Sequence, residues 1–296
     1  MLICDQNDKP HHEIRRYGDG QGMFESGQKR KGTLAGIFDL AMLIFHSSVR
    51  NIRKSHRHAL LGLVMNILQT VLFVGAFYVM FTVLGLRTNA VRGDFLLYIM
   101  SGIFLFMTHN KALGAVVGSD GPASPMMKHA PMNTIVSIAA AALSSLYIQV
   151  LSMAVVLYVY HAAFNRITIY EPAGAMGMLL LAWFTGVSIG MVLLAAKPWA
   201  PDAVRIISTV YQRANMIASG KMFLANTLPA YMLMMFDWNP LFHEIDQARG
   251  FAFINYNPHF TSVTYPLYVS LSLLMIGLMA EFYTRKHVSA SWDAGR

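Results

Sequence analysis

The residues best equipped for chemistry crowd into one stretch, 219–249. Asp237, His243, Glu244, Asp246 and Arg249 fall within thirteen positions of one another. A histidine beside carboxylic acids suits proton transfer. On a helix, however, 243 and 246 share a face while 244 points elsewhere. The spacing therefore does not build a catalytic group, and a polar gate or a helix surface is the competing use. Further back, His109 and Lys111 sit inside an otherwise apolar run, and Arg213 and Lys221 inside another. A cation inside a membrane span is costly and faces a bundle interior or a cavity. Lys111 thus either lines a pathway or is paired or snorkelling, and both readings stand. Gly220-Lys221 matches the end of a phosphate loop but lacks its upstream glycine, and neither H-E-x-x-H nor G-x-S-x-G occurs. His11-His12 reads as solvated tail, and the single cysteine, Cys4, lies in the same polar segment. No catalytic residue, metal ligand or disulfide is assigned.

Such residues need a membrane around them. Of 296 residues, 55% are apolar and 13% charged, and the mean hydropathy is +0.44. Those values belong to membrane proteins rather than to soluble domains of this length. A net charge of +8 could suit nucleic acid, but the basic residues flank apolar runs, which is a topology signal instead. Residues 1–32 are polar and read as a disordered cytoplasmic tail. No cleavable signal peptide is expected, because the first apolar run comes only after that tail. Residues 33–58 read as an amphipathic helix in the cytoplasmic interface. Leu34, Ile37, Phe38, Leu40, Ala41, Ile44 and Phe45 recur at helical spacing ahead of Arg50, Arg53, Lys54 and Arg57.

Residues 59–287 are expected to hold six spans, at 59–86, 95–118, 134–160, 172–196, 203–224 and 260–283. Each exceeds or approaches the roughly 20 residues that cross a bilayer. The second should be broken at Thr108-His109-Asn110-Lys111. Gly114 with Gly118, and Gly186 with Gly190, have the spacing that lets helices approach closely. Six crossings put both termini on one side, and the basic cluster at 50–57 makes that side cytoplasmic; residues 288–296 form a second cytoplasmic tail. Ahead of the last span, Asn226, Pro229, Asn239 and Pro240 interrupt the apolar pattern. Two short helices are predicted at the external face, one starting at Pro229 and the other after the Asn239-Pro240 turn, with Asn as cap and Pro in the first turn. The fold class is all-α: a polytopic membrane protein with six spans, an amino-terminal interface helix and short re-entrant or surface helices before the last span.

The run Ser219-Gly220, Pro229, Trp238-Asn239-Pro240-Leu241 and Arg249 resembles the membrane subunits of type-2 ABC exporters. Within them it is closest to the permeases of capsule and O-antigen polysaccharide export, and the likeness extends over residues 33–286. The resemblance implies a permease that moves a polysaccharide across a bacterial inner membrane and binds no cofactor itself. ATP would be used by a separate cytoplasmic ATPase subunit. It implies a coupling helix with Met126, Met127, Lys128, His129 and Pro131 docked on that ATPase. It also implies a periplasmic gate with Pro229, Trp238, Asn239, Pro240, His243 and Glu244. Candidates for the translocation path are His109, Lys111, Arg213 and Lys221. The implied partners are the ATPase, a second copy of the permease, the polysaccharide, periplasmic and outer-membrane export components, and membrane lipid, with no nucleic acid. The chain departs from the family at the first span, where Ala59-Leu60-Leu61-Gly62-Leu63 replaces an aromatic Gly-Tyr-Leu-Trp-like run.

Three other readings compete. The same architecture could export a lipid-linked or small amphiphilic molecule. An intramembrane enzyme could use His109, Lys111 and Arg213. A self-sufficient secondary transporter would be expected to carry buried acidic couplers, and no expected span holds Asp or Glu before Glu281.

Overall fold

A computed structural model describes residues 33–55, 59–85, 94–121 and 134–287. The two tails, the loop holding Arg87 and Arg92, and the coupling segment with Met126, Met127, Lys128, His129 and Pro131 lie outside the described residues. The chain divides into residues 1–39 and residues 40–296. Of the first unit only the opening of one helix is described, with Phe38 and Asp39 exposed. The rest belongs to the second unit.

The described residues are helical, with no strand among them. They form α1 (Thr33–Ser55), α2 (Ala59–Val83), α3 (Phe95–Val117), α4 (Thr134–Ala163), α5 (Pro172–Ala196) and α6 (Pro201–Ala218). A single 3-10 turn (Ala225–Thr227) leads into α7 (Ala230–Phe236), α8 (Pro240–Ala252) and α9 (Thr264–His287). Among the described residues, five stretches are long and apolar enough to cross a membrane: Leu61–Val83 within α2, and α3, α4, α5 and α9 in full. α3 runs unbroken through Thr108–Lys111, contrary to the expected interruption, because His109 finds partners in neighbouring helices and Lys111 in α2. α6 stops at Ala218 rather than continuing to Leu224. Its 18 residues span about 27 Å at 1.5 Å per residue.

Cross-links at the helix ends fix the directions. The Lys197 ammonium donates to the Val117 carbonyl (2.9 Å), Trp199 Nε1 donates to Thr284 (3.0 Å), and Thr284 donates to Ala195 (3.0 Å). The ends of α3, α5 and α9 therefore meet at one level, where α6 begins. At the opposite level the Tyr160 hydroxyl donates to Asp94, and Glu171 N–H donates to the Phe251 carbonyl (2.8 Å). There the starts of α3 and α5 meet the end of α4 and the end of α8.

α3 is the axis of the bundle. Ile99, Met100 and Ile103 are almost inaccessible, packed among Met178, Leu179 and Ala182 of α5 and Leu241, Ile245 and Ala248 of α8. Between apolar helices in lipid, close van der Waals packing replaces the hydrophobic drive, so small residues hold the seam. A Cβ at Gly186 would collide with the His109 carbonyl, and one at Gly190 would sit 2.9 Å from Val116. That pair is a packing seam, as the spacing suggested. Gly114 instead has open space before it and lines a cavity.

Candidate functional site: a polar cavity beside a broken helix pair

The break after α6 is built from a few residues. Gly220 has φ 72°, a region where a side chain is strained. A Cβ there would also lie 2.5 Å from the Phe242 ring. The turn leaves backbone carbonyls without helical partners, which is costly away from water. Arg249, wholly buried, supplies them: Nη1 donates to Gly220 (2.9 Å) and Phe223 (2.7 Å), and Nη2 to Lys221 (2.6 Å). Its guanidinium rests 4.1 Å from the Tyr98 ring centre. Lys221 in turn donates to the Met216 carbonyl (2.6 Å) and lies 3.7 Å from the Phe106 ring centre. Both cations donate to carbonyls and lie against aromatic faces, although Arg249 Nε, also buried, has no partner among the described residues.

The two short helices follow the turn chemistry read from the sequence. Pro229 precedes α7, and Asn239 caps α8 by accepting from Leu241 N–H (3.1 Å), with Pro240 in the first turn. Asn239 Nδ2 also donates to Asn215 Oδ1 (2.9 Å) and the Ala218 carbonyl (3.0 Å), tying this cap to the end of α6. α8 is not a surface helix. Ten of its 13 residues are buried, and only Trp238 among the gate candidates at 238–244 is exposed, at 64%. His243 accepts from Ser262 N–H at Nδ1 (3.2 Å), which leaves Nε2 to donate to the Asp237 carbonyl (2.7 Å). Glu244 is fully buried, meeting Thr185 halfway along α5, while Thr185 meets Ser270 of α9 (2.7 Å). Its second oxygen has no partner. Burial pushes the Glu244 carboxyl up to about 8. Asp246 accepts from Ala225 N–H (3.2 Å), Tyr256 (2.5 Å) and Thr261 (2.9 Å). Burial first, then that acid, holds the Tyr256 phenol well above its ordinary range.

Beside this assembly lies a cavity of about 1250 Å³ walled by α1, α2, α3, α4 and α6. Its polar lining combines amides (Asn51, Asn66, Gln69, Asn110, Gln149 and Gln212) with serine and threonine hydroxyls and with Lys111 and Arg213. Asn66 donates to Gln149 and to Ser152 (2.8 Å), and Lys111 donates to Gln69 (2.7 Å). Two of the four path candidates, Lys111 and Arg213, thus share one cavity. His109 does not line it: fully buried, it bonds the Ala182 carbonyl (3.1 Å) and the Tyr211 hydroxyl (3.0 Å). Lys221 is likewise buried outside the lining. Apart from Asn110, the amide residues went unread in the sequence, although each except Asn51 is a polar group in an apolar span, which lipid penalises. Among the described residues, no three His, Cys, Asp or Glu side chains come together as a metal site. No family model and no curated protein matches the chain.

Proposed function

We propose that the chain is the membrane subunit of an ATP-driven exporter, moving a polysaccharide of capsule or O-antigen type across a bacterial inner membrane. The amide-lined cavity carries this reading. A hydroxyl-rich chain needs hydrogen-bonding walls through the bilayer, and six amide side chains line this one cavity. The helix ends support six crossings: α5 and α9 finish at the same level, so the chain must cross once between them, and α6 is the element that does so. Its modest hydropathy suits a span with one wall on a wet cavity. The three-way cross-link of Asn239, Asn215 and Ala218 supports a re-entrant gate, with α8 rising from mid-depth to the outer level. α1, with Leu40, Leu43 and Phe45 exposed, is the interface helix, and both termini are cytoplasmic. A separate ATPase supplies the energy, docking on the segment around 126–131, and two copies of the chain complete the path. The enzymatic reading is not adopted, because His109 is buried and does not line the cavity that Lys111 and Arg213 share.

The deciding experiment is deletion of the gene in the source cell. Surface polysaccharide should fall and polymer should accumulate in the cytoplasm, both restored by the intact gene. Unchanged surface polysaccharide would sink the assignment.

A further inference from the structure

We infer that the cavity is an oxyanion seat, in which Lys111 and Arg213 bind a phosphate- or carboxylate-bearing group of the transported molecule. The inference names the chemistry of the substrate and so rests on the export reading. The charged residues of the described helices divide sharply. Arg249, through Nη1 and Nη2, and Lys221 donate to backbone carbonyls, and Arg205 pairs with Asp202 (3.2 Å). Lys111 and Arg213 have no such arrangement. The Lys111 ammonium donates to one neutral group, Gln69, and Arg213 has no hydrogen bond or ion pair among the described residues. Among the described residues, the one carboxylate on the cavity wall is Asp120, beyond the end of α3.

Depth makes the unpaired charges significant. Lys111 lies six residues before the end of α3 and Arg213 twelve residues into α6, with those two helix ends at the same level. At 1.5 Å per residue they stand about 9 Å and about 18 Å from that level. A guanidinium at that depth needs an anion or water beside it. Its planar fork fits two oxygens of a carboxylate or phosphate, and the lysine adds a point charge lower on the other wall. The free hydrogens on the neighbouring Gln69 and Gln149 amides also favour an acceptor-rich guest over a cation.

The test uses the purified full chain in phosphatidylcholine nanodiscs. One arm titrates inorganic pyrophosphate by calorimetry, and the other counts phosphatidylglycerol retained in native mass spectra. Binding in the first arm alone points to a soluble anionic group, and in the second alone to a lipid headgroup. Lys111→Gln and Arg213→Gln should each weaken whichever binding occurs by about tenfold or more, the range for losing one charge-assisted bond. Arg285→Gln, outside the cavity, should not. Should the glutamine variants fail to fold, Lys111→Arg and Arg213→Lys decide the matter: Lys111→Arg keeps the point charge and should weaken binding less than Arg213→Lys, which loses the second bond of the fork, and the reverse order would overturn the seat. The seat is overturned by no binding in either arm, by variants that bind as the wild type does, or by an equal loss in Arg285→Gln. It is also overturned if Arg213→Gln changes only self-association, because a carboxylate of a second copy would then be the partner. Binding is read on the isolated chain. Lost export with intact anion binding therefore counts against the exporter alone, and intact export without anion binding against the seat alone.

Discussion

Gly220 and Glu244 carry opposite kinds of strain, one in the backbone and one in a buried charge site. Gly220→Ala forces a side chain into φ 72° and against the Phe242 ring. The backbone part alone costs on the order of 1–3 kcal/mol, so the melting temperature in detergent should drop by several degrees; an unchanged value would mean the turn relaxes freely. Glu244 acts through pH. Its carboxyl titrates at about 8 in the fold against 4.5 as its ordinary value. The native chain keeps the proton across that window while the unfolded chain releases it. The contribution is therefore most favourable below about 4.5 and declines as pH rises, by at most about 1.4 kcal/mol per pH unit, until it levels off near 8. Glu244→Gln keeps the shape and removes the titration, so its melting temperature should fall less between pH 5 and 8 than that of the wild type. Parallel profiles would show that Glu244 is already ionised in the fold.

At the level of elements, the exposure of the gate residues separates a surface lid from a re-entrant helix. Cysteines placed singly at 238, 243 and 246, in a background lacking Cys4, should behave differently. Trp238→Cys should react with an impermeant thiol reagent added outside, whereas His243→Cys and Asp246→Cys, at 5% and 2% exposure, should be protected. Equal labelling of all three would return α8 to the surface. The sequence made the starts of α7 and α8 legible, because Pro229 and Asn239-Pro240 obey local rules that need no tertiary partner. It did not make the burial of α8 legible. A helix with His243, Glu244, Asp246 and Arg249 reads as solvated until α3, α5 and the 219–224 turn are placed around it. The same holds for the cavity. Asn66 and Gln149 stand 83 residues apart, and nothing local in either span announces that they meet. Lys111 and Arg213 were readable as costly intramembrane cations, but their common wall depends on how α3 and α6 pack.

For the whole molecule, the arrangement leaves one side unfinished. α6 buries only Val204, Ser208 and Asn215, while Ile206, Val210 and Ile217 stand 59% or more exposed along one stripe. Arg213 lies on that stripe and Gln212 beside it, and both line the cavity. Lipid could cover the apolar stripe, but it cannot cover the adjoining guanidinium and amide without leaving them unsatisfied. A second copy related by a two-fold axis would place the same stripe against itself and close the two cavities into one path, the commonest way a single chain completes a symmetric assembly. A residue near such an axis meets its own counterpart. Val210→Cys, again without Cys4, should therefore form a disulfide-linked dimer on mild oxidation in native membranes, whereas Tyr158→Cys, exposed on α4 away from the stripe, should not. Equal cross-linking at both positions would indicate random collision, and no dimer at Val210 or at Ile217→Cys would mean that the path is not shared between two copies through α6.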